Sequence, residues 1–311
     1  MSSSRLEELG LRRRGRLRRL KDVPVLPSLI TLGNLCCGFL AIAKVADALR
    51  AAQPGAEFAT VLAFFEAAVV LVFVAMVFDA LDGRVARMTG QTTPFGAQLD
   101  SMADMVTFGC APAFLCKVLV DWHAQIDGNR LLPLHPRLFF AAASVYVVGA
   151  ALRLARFNVE TGADEDDHRE FKGLPSPAAA SIACALVALF CTRNDASATL
   201  SHLLLAPRDF DLIVVFMPGV LVLLGLLMVS RLPYPHAMHW LMKGRNSLPV
   251  LAVAVAVVIV AAIEWQLAVA ATTLAYLFTG PAIGVFRLAL RRRQDDDDGD
   301  GDEPRPQPSH N

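Results

Sequence analysis

The chain has 311 residues, of which 55% are hydrophobic and 19% are charged, and its mean hydropathy is +0.47. This composition excludes a soluble globular domain and indicates an integral membrane protein. The formal net charge of +0 is the sum of a basic N-terminal arm and an acidic C-terminal tail.

The basic arm directly precedes the first apolar run, and it contains Arg12, Arg13, Arg14, Arg16, Arg18, Arg19 and Lys21. A basic segment in this position favours contact with anionic lipid headgroups over contact with nucleic acid, so we expect membrane lipids and no nucleic acid as partners. The six cysteines lie in or beside apolar segments without CxxC spacing, which is typical of small buried hydrophobic side chains.

Eight apolar runs are long enough to cross a bilayer as helices, which takes about 17 to 25 residues each. They lie near 24 to 48, 60 to 83, 95 to 120, 137 to 157, 174 to 192, 210 to 230, 248 to 263 and 267 to 290. Only Glu264, Trp265 and Gln266 separate the last two runs. The predicted fold is therefore all-α and polytopic, with about eight transmembrane helices.

Lysine and arginine are concentrated in alternate loops. Basic residues occur in the N-terminal arm, in the loops 84 to 94, 158 to 173 and 231 to 247, and at 291 to 293. Positively charged loops remain in the cytoplasm, so we expect both termini on the cytoplasmic side of the inner membrane. The sequence predicts a basic cytoplasmic arm over 1 to 23, a transmembrane domain over 24 to 290 and a disordered acidic tail over 291 to 311.

Residues 79 to 104 place four carboxylates within two otherwise apolar segments. Each charge at membrane depth costs about 2.5 to 3.5 kcal/mol, so these carboxylates require cations or a function. Asp79 and Asp82 are i, i+3 neighbours on the second span, whereas Gly96, Asp100 and Asp104 share a face of the third. At about 1.5 Å per residue, both pairs lie at similar depth near the cytoplasmic face.

All-oxygen ligand sets suit hard cations such as Mg²⁺ or Mn²⁺, and two such ions could bridge four carboxylates and a pyrophosphate. A divalent-cation transporter that uses the same Asp cluster is the alternative from a different class. Small residues beside the carboxylates favour a bound nucleotide, because they let a ligand approach the backbone.

The spacing of this stretch resembles the signature of the CDP-alcohol phosphatidyltransferase family at all eight fixed positions, namely Asp79, Asp82, Gly83, Ala86, Arg87, Gly96, Asp100 and Asp104. The resemblance implies a polytopic helical enzyme, usually a homodimer, that transfers a phosphatidyl group from CDP-diacylglycerol to an alcohol and releases CMP. It also implies that the four aspartates bind two divalent cations and that Asp104 is the general base. Gly83, Ala86, Arg87 and Gly96 would form the CDP-diacylglycerol site.

Three further stretches resemble the phosphatidylserine synthase branch of this family: 27 to 39, 153 to 177 and 232 to 236. In the first stretch, Thr31 and Asn34 could reach the nucleotide from the first span, and ordinary helix packing by small and polar residues is the alternative. The resemblance predicts that the chain makes phosphatidylserine from CDP-diacylglycerol and L-serine.

Serine brings a carboxylate that must be held at the membrane face. Arg153, Arg156 and Lys172 flank one predicted cytoplasmic loop, and Asn158 can add a hydrogen bond, so we expect these four residues to bind serine. The alternative is that the basic residues only set the topology. Within the same reaction class, glycerol 3-phosphate, an inositol phosphate or choline remain alternative acceptors.

Overall fold

The computed structural model describes residues 25–53, 55, 57–90, 93–127, 135–161, 173–195, 197–234 and 248–299. These residues form helices and connecting loops, with no β-strand among them. The basic arm and Lys172 lie outside the described residues, as does the tail after Gly299.

The helices, in chain order, are α1 (Val25–Ala51), α2 (Phe58–Thr89), α3 (Pro94–Asp104), a π-helical segment (Met105–Cys110), α4 (Ala111–Asp127), α5 (Pro136–Thr161), α6 (Ser176–Cys191), a 3-10 turn (Thr192–Asn194), α7 (Thr199–Leu204), α8 (Pro207–Val229), α9 (Leu248–Ile263) and α10 (Trp265–Gly299).

Seven helical stretches among the described residues are long and apolar enough to span a membrane. They correspond to seven of the eight predicted spans, so the prediction of an all-α polytopic membrane protein is confirmed. The remaining predicted span is α9, which has 16 residues and is therefore shorter than the other seven. α10 continues to Gly299, so helical structure extends beyond the predicted boundary at 290.

The break between α9 and α10 falls at Glu264, as the sequence predicts. The side chain of Glu264 is buried, and its carboxylate accepts backbone hydrogen bonds from Leu200 and Ser201 at the start of α7. Because a carboxylate at a helix N-terminus satisfies backbone N–H groups that have no partner within the helix, this contact fastens the α9–α10 junction to α7.

α6 is the central helix of the bundle. Ala179, Ala180, Ala183 and Ala188 are fully buried, and the helix packs against α2, α4, α8 and α10. Small side chains allow helix backbones to approach closely, which replaces the hydrophobic driving force that is missing inside a bilayer. α5 and α8 use the same device, because a Cβ added at Gly149 would lie 2.5 Å from the backbone oxygen of Gly225.

α1 packs against both helices that carry the aspartates. It lies along α2 and also contacts α3 and the π-helical segment. Its buried face includes Ser28, Thr31, Asn34 and Gly38, which recur every three or four residues, as expected for one side of a helix. The polar residues of the first span therefore face the protein interior near the aspartates.

Two of the stretches that resemble the serine branch meet at the end of α8. The backbone N–H of Gly173 donates to Leu232 at 2.8 Å, and that of Leu174 donates to Leu227 at 3.1 Å. Gly173 has a φ of 92°, which a glycine adopts without steric cost. Tyr234 packs onto α10, and burial raises the pKa of its phenol to about 12, so the hydroxyl remains a donor toward Leu277.

Candidate active site

The turn between α2 and α3 brings the two halves of the aspartate stretch together. α2 ends at Gly90, whose φ of 62° is left-handed, and α3 begins after Thr93 with Pro94 in its first turn. The Thr93 hydroxyl accepts a hydrogen bond from the backbone N–H of Gly96 at 3.1 Å. Glycine after a helix and threonine–proline before one are standard stop and start signals, so local sequence defines this turn.

Three of the four predicted metal ligands form one cluster. Asp79 and Asp82 on α2 and Asp100 on α3 each offer a carboxylate oxygen, and these oxygens all lie within 4.8 Å of one another. Two ligands on opposite sides of an Mg²⁺ ion at about 2.1 Å are about 4.2 Å apart, so the cluster has the dimensions of a divalent-cation site.

The hydrogen bonding of the cluster fits the same interpretation. Asp82 Oδ2 and Asp100 Oδ1 are buried and have no hydrogen-bond partner among the residues that the structure describes. An unpaired buried carboxylate oxygen carries a large desolvation cost, and three neighbouring carboxylates repel one another. A divalent cation would satisfy the unpaired oxygens and offset the repulsion, so the residues present fit a metal ion.

Asp104 is not part of this group of three. It lies one helical turn beyond Asp100, is 9% exposed, and its Oδ1 accepts a hydrogen bond from Asn34 Nδ2 at 3.2 Å. The fourth aspartate therefore lies next to the group of three and is hydrogen-bonded to α1.

A cavity of about 200 Å³ opens beside the three clustered aspartates and is open on one side. It is lined from α1, α2 and α3 by Pro27, Ser28, Thr31, Asp82, Gly83, Ala86, Arg87, Thr93, Gly96, Ala97 and Asp100. Thr31, Gly83, Ala86, Arg87 and Gly96, all predicted to contact the nucleotide, therefore surround one space. Asn34, predicted in the same role, is not among these lining residues, and it donates a hydrogen bond to Asp104.

Gly83 and Arg87 give the cavity its shape and charge. A Cβ added at Gly83 would meet only Arg87 Nη2, at 4.0 Å, so the glycine faces open space. The guanidinium of Arg87 lies over that space on the same wall. A small residue beneath a cation suits a phosphate group, because the ligand can reach the helix backbone while its charge is neutralised.

Three of the four residues predicted to bind serine, namely Arg153, Arg156 and Asn158, lie among the described residues. Asn158, near the end of α5, accepts a hydrogen bond from the Ser101 hydroxyl at 3.0 Å, and Ser101 is the residue after Asp100. This end of α5 is therefore adjacent to the aspartate cluster. Arg153 and Arg156 lie on the same helix, and both are partly buried.

Sequence reasoning missed several features of the site. Four residues that line the cavity were not predicted, namely Pro27, Ser28, Thr93 and Ala97, and Ser28 could have been found by its spacing of three residues from Thr31 on α1. The π-helical segment immediately after Asp104 was also missed, although Pro112 within the third span is a signal for an irregular helix.

A protein-family comparison matches residues 24–218 to the CDP-alcohol phosphatidyltransferase model. The chain belongs to the CDP-alcohol phosphatidyltransferase family. The matched region includes α1 to α6 and reaches into α8, so it contains every described residue of the cluster and the cavity.

Curated relatives agree with this assignment. The chain is 35% identical over 166 residues to a CDP-diacylglycerol–serine O-phosphatidyltransferase of Helicobacter pylori, and 34% identical over 165 residues to the enzyme of that name from Methanocaldococcus jannaschii. These alignments cover 53% of this chain and 59% and 62% of the relatives, so the chain spans about three-fifths of their length. An archaetidylserine synthase of Methanothermobacter thermautotrophicus is 28% identical over 221 residues, covering 70% of this chain and 73% of the relative.

Proposed function

We propose that this protein transfers the phosphatidyl group of CDP-diacylglycerol to the hydroxyl of L-serine, giving phosphatidylserine and CMP. The observation that carries the proposal is the juxtaposition of the three clustered aspartates with the cavity of Gly83 and Arg87. Membership of the CDP-alcohol phosphatidyltransferase family supports the reaction class, and the names of the relatives support serine as the acceptor.

Asp79, Asp82 and Asp100 would hold divalent cations, with Asp104 completing the set on the side of α1. Two ions, Mg²⁺ or Mn²⁺, would supply electrostatic stabilisation of the pyrophosphate and of the departing CMP. Arg87 would hold a phosphate oxygen, and Gly83, Ala86, Gly96 and Thr31 would leave room for the nucleotide.

The reaction joins the serine oxygen to the phosphorus that bears diacylglycerol. The bond from that phosphorus to the bridging oxygen breaks, and CMP leaves with the electron pair. Asp104 takes the proton of the serine hydroxyl, so a positioned carboxylate on α3 serves as general base. The products are phosphatidylserine, CMP and one proton carried by Asp104.

Serine would be held by the end of α5. Arg153 and Arg156 offer guanidinium groups for its carboxylate, Lys172 a further cation, and Asn158 an amide beside Ser101. We further propose that the protein works as a homodimer in the inner membrane, with both termini and the active site toward the cytoplasm. The pattern of basic loops supports this orientation.

The reaction is tested with purified protein, CDP-diacylglycerol, Mg²⁺ or Mn²⁺ and a panel of labelled acceptors. We expect labelled serine to enter lipid with stoichiometric release of CMP. Efficient use of glycerol 3-phosphate, an inositol phosphate or choline without serine would overturn the choice of acceptor. Metal flux into sealed vesicles without release of CMP would overturn the reaction class.

The roles of the aspartates are tested with Asp100→Asn and Asp104→Asn. Each change keeps the side-chain shape but removes an anionic ligand or the base, so we expect release of CMP to fall by about a thousandfold or more. Mn²⁺ binding, followed by electron paramagnetic resonance, should weaken in Asp100→Asn. Near-normal turnover in both variants would contradict the mechanism.

A further inference from the structure

We propose that Asn34 is a positioning residue that orients Asp104, and that it does not bind the nucleotide. The inference rests on the proposed function, in which Asp104 is the general base. Asn34 Nδ2 lies 3.2 Å from Asp104 Oδ1, and the asparagine is fully buried. An ionised carboxylate only accepts hydrogen bonds, so the amide N–H groups of Asn34 must face Asp104.

The backbone around Asn34 is fixed by α1 and the π-helical segment. The Thr107 hydroxyl donates to the backbone oxygen of Asn34 at 3.2 Å, three residues after Asp104. A Cβ at Gly38 would lie 2.8 Å from Thr107 Cα, so this glycine lets α1 contact the π-helical segment directly. Asn34 and Asp104 are thus held by two separate contacts between the same pair of elements.

A third contact holds the far side of the π-helical segment. Pro112 has no N–H, so the backbone oxygen of Phe108 lacks its usual donor four residues later. The buried Tyr146 hydroxyl of α5 donates to that oxygen at 2.9 Å. The Phe108 oxygen therefore has a donor from α5, and this contact supports the irregular turn that follows Asp104.

The geometry explains why Asn34 has no place in the cavity. Thr31 and Ser28, one and two turns earlier on α1, line the cavity, whereas Asn34 is not among its lining residues and is fully buried. Within the described part of the chain, its Oδ1 is buried without a hydrogen-bond partner, which is the cost of directing the amide nitrogen at the carboxylate. A hydrogen bond from a buried amide limits the directions in which Asp104 can accept a proton, which is a requirement for a general base.

The test compares Asn34→Ala and Asn34→Asp with wild type. Loss of a hydrogen bond to a charged group should lower kcat about ten- to a hundredfold. The KM for CDP-diacylglycerol should change by less than about twofold, because the residues proposed to contact this substrate are unchanged. Asn34→Asp should be slower than Asn34→Ala, since its carboxylate cannot donate and repels Asp104. In Asn34→Ala, Mn²⁺ affinity, measured by electron paramagnetic resonance, should stay near the wild-type value because all four aspartates keep their carboxylates.

Gln266→Leu is the matched control. Gln266 Nε2 donates to the Glu66 carboxylate at 2.9 Å, so the control also removes a partly buried amide-to-carboxylate hydrogen bond within the membrane region. Glu66 lies 13 residues before Asp79, about 20 Å along α2. We expect Gln266→Leu to lower the thermal unfolding temperature while kcat is retained.

Four results would overturn the assignment. A raised KM or weaker CDP binding with unchanged kcat would make Asn34 a nucleotide contact, and a lower unfolding temperature alone would make it structural. A loss of Mn²⁺ affinity would place its effect on the metal cluster. If Asn34→Ala does not fold, the isosteric Asn34→Asp decides, and wild-type kcat in that variant also overturns the assignment. Failure of wild type to release CMP would instead refute the proposed function.

Discussion

A substitution at Gly83 should affect protein stability and nucleotide binding in opposite directions. A Cβ at this position faces the cavity and, outside the adjacent backbone of its own helix, meets no atom of the described residues closer than 4.0 Å. Replacing a glycine within a helix by alanine stabilises a protein by about 0.5–1 kcal/mol, because the unfolded chain loses freedom. We therefore predict that Gly83→Ala raises the unfolding temperature slightly and lowers kcat/KM for CDP-diacylglycerol about tenfold, measured by release of CMP.

Gly219 provides the matched control for that prediction. It also lies within a helix, α8, and a Cβ there would meet no atom within 4 Å. Gly219→Ala should give the same small stabilisation with unchanged activity. If Gly83→Ala retained full activity, the nucleotide would not approach this part of α2.

Most of the site was predictable because its residues obey helical periodicity. The i, i+3 pair on α2 and the face of α3 place Asp79, Asp82 and Asp100 together, as the structure has them. The hydrogen bond between Asp104 and Asn34 was not predictable from spacing, because its two partners lie 70 residues apart on different helices. Contacts of this range are determined by packing and leave no local signal.

At the scale of elements, the loop before α6 makes a testable contact with the end of α8. An alanine at position 173 would have to adopt a φ of 92°. Its Cβ would lie 2.6 Å from the backbone oxygen of Met228. The conformation alone costs about 1–2 kcal/mol, and the contact adds about 1–3 kcal/mol of overpacking. We predict that Gly173→Ala lowers the free energy of unfolding by about 2–5 kcal/mol, measured by thermal denaturation in detergent.

A substitution at Gly55 separates the conformational cost from the cost of overpacking. Its φ is 89°, but a Cβ there would meet no atom within 4 Å. Gly55→Ala should therefore show only the conformational cost. Equal losses in the two variants would mean that the loop moves away from α8 without penalty, and that the docking of Gly173 and Leu174 contributes little.

The elements themselves were predicted well where composition alone defines them. The described ends of six spans lie within about six residues of the predicted boundaries. The helix of the last span, α10, starts two residues before its predicted boundary and continues to Gly299. The π-helical segment and α7 were not predicted, because each depends on contacts from other helices, namely Tyr146 on Phe108 and Glu264 on Leu200 and Ser201. A hydropathy pattern predicts which segments cross the membrane, but it does not predict contacts between them.

On the scale of the whole molecule, a second polar network lies far from the aspartate cluster. His123 Nε2 is 3.0 Å from Asp211 Oδ1, and Arg193 donates to the same oxygen. His123 is 19 residues after Asp104 on a nearly continuous helix, about 28 Å away. The network joins α4, the turn after α6 and the start of α8, so it fastens three elements at one end of the bundle.

Asp211→Asn should therefore weaken the bundle without changing the chemistry. The variant presents an amide to two donors and leaves Arg193 without its counter-charge, which should cost about 1–3 kcal/mol of unfolding free energy. The kcat for release of CMP should be unchanged below the unfolding temperature. Asp209→Asn, on the same helix, removes the same charge, but its retained oxygen can still accept from Ala206, so it should be nearly neutral. A lower kcat in Asp211→Asn at unchanged stability would show instead that this network is coupled to the active site across the membrane span.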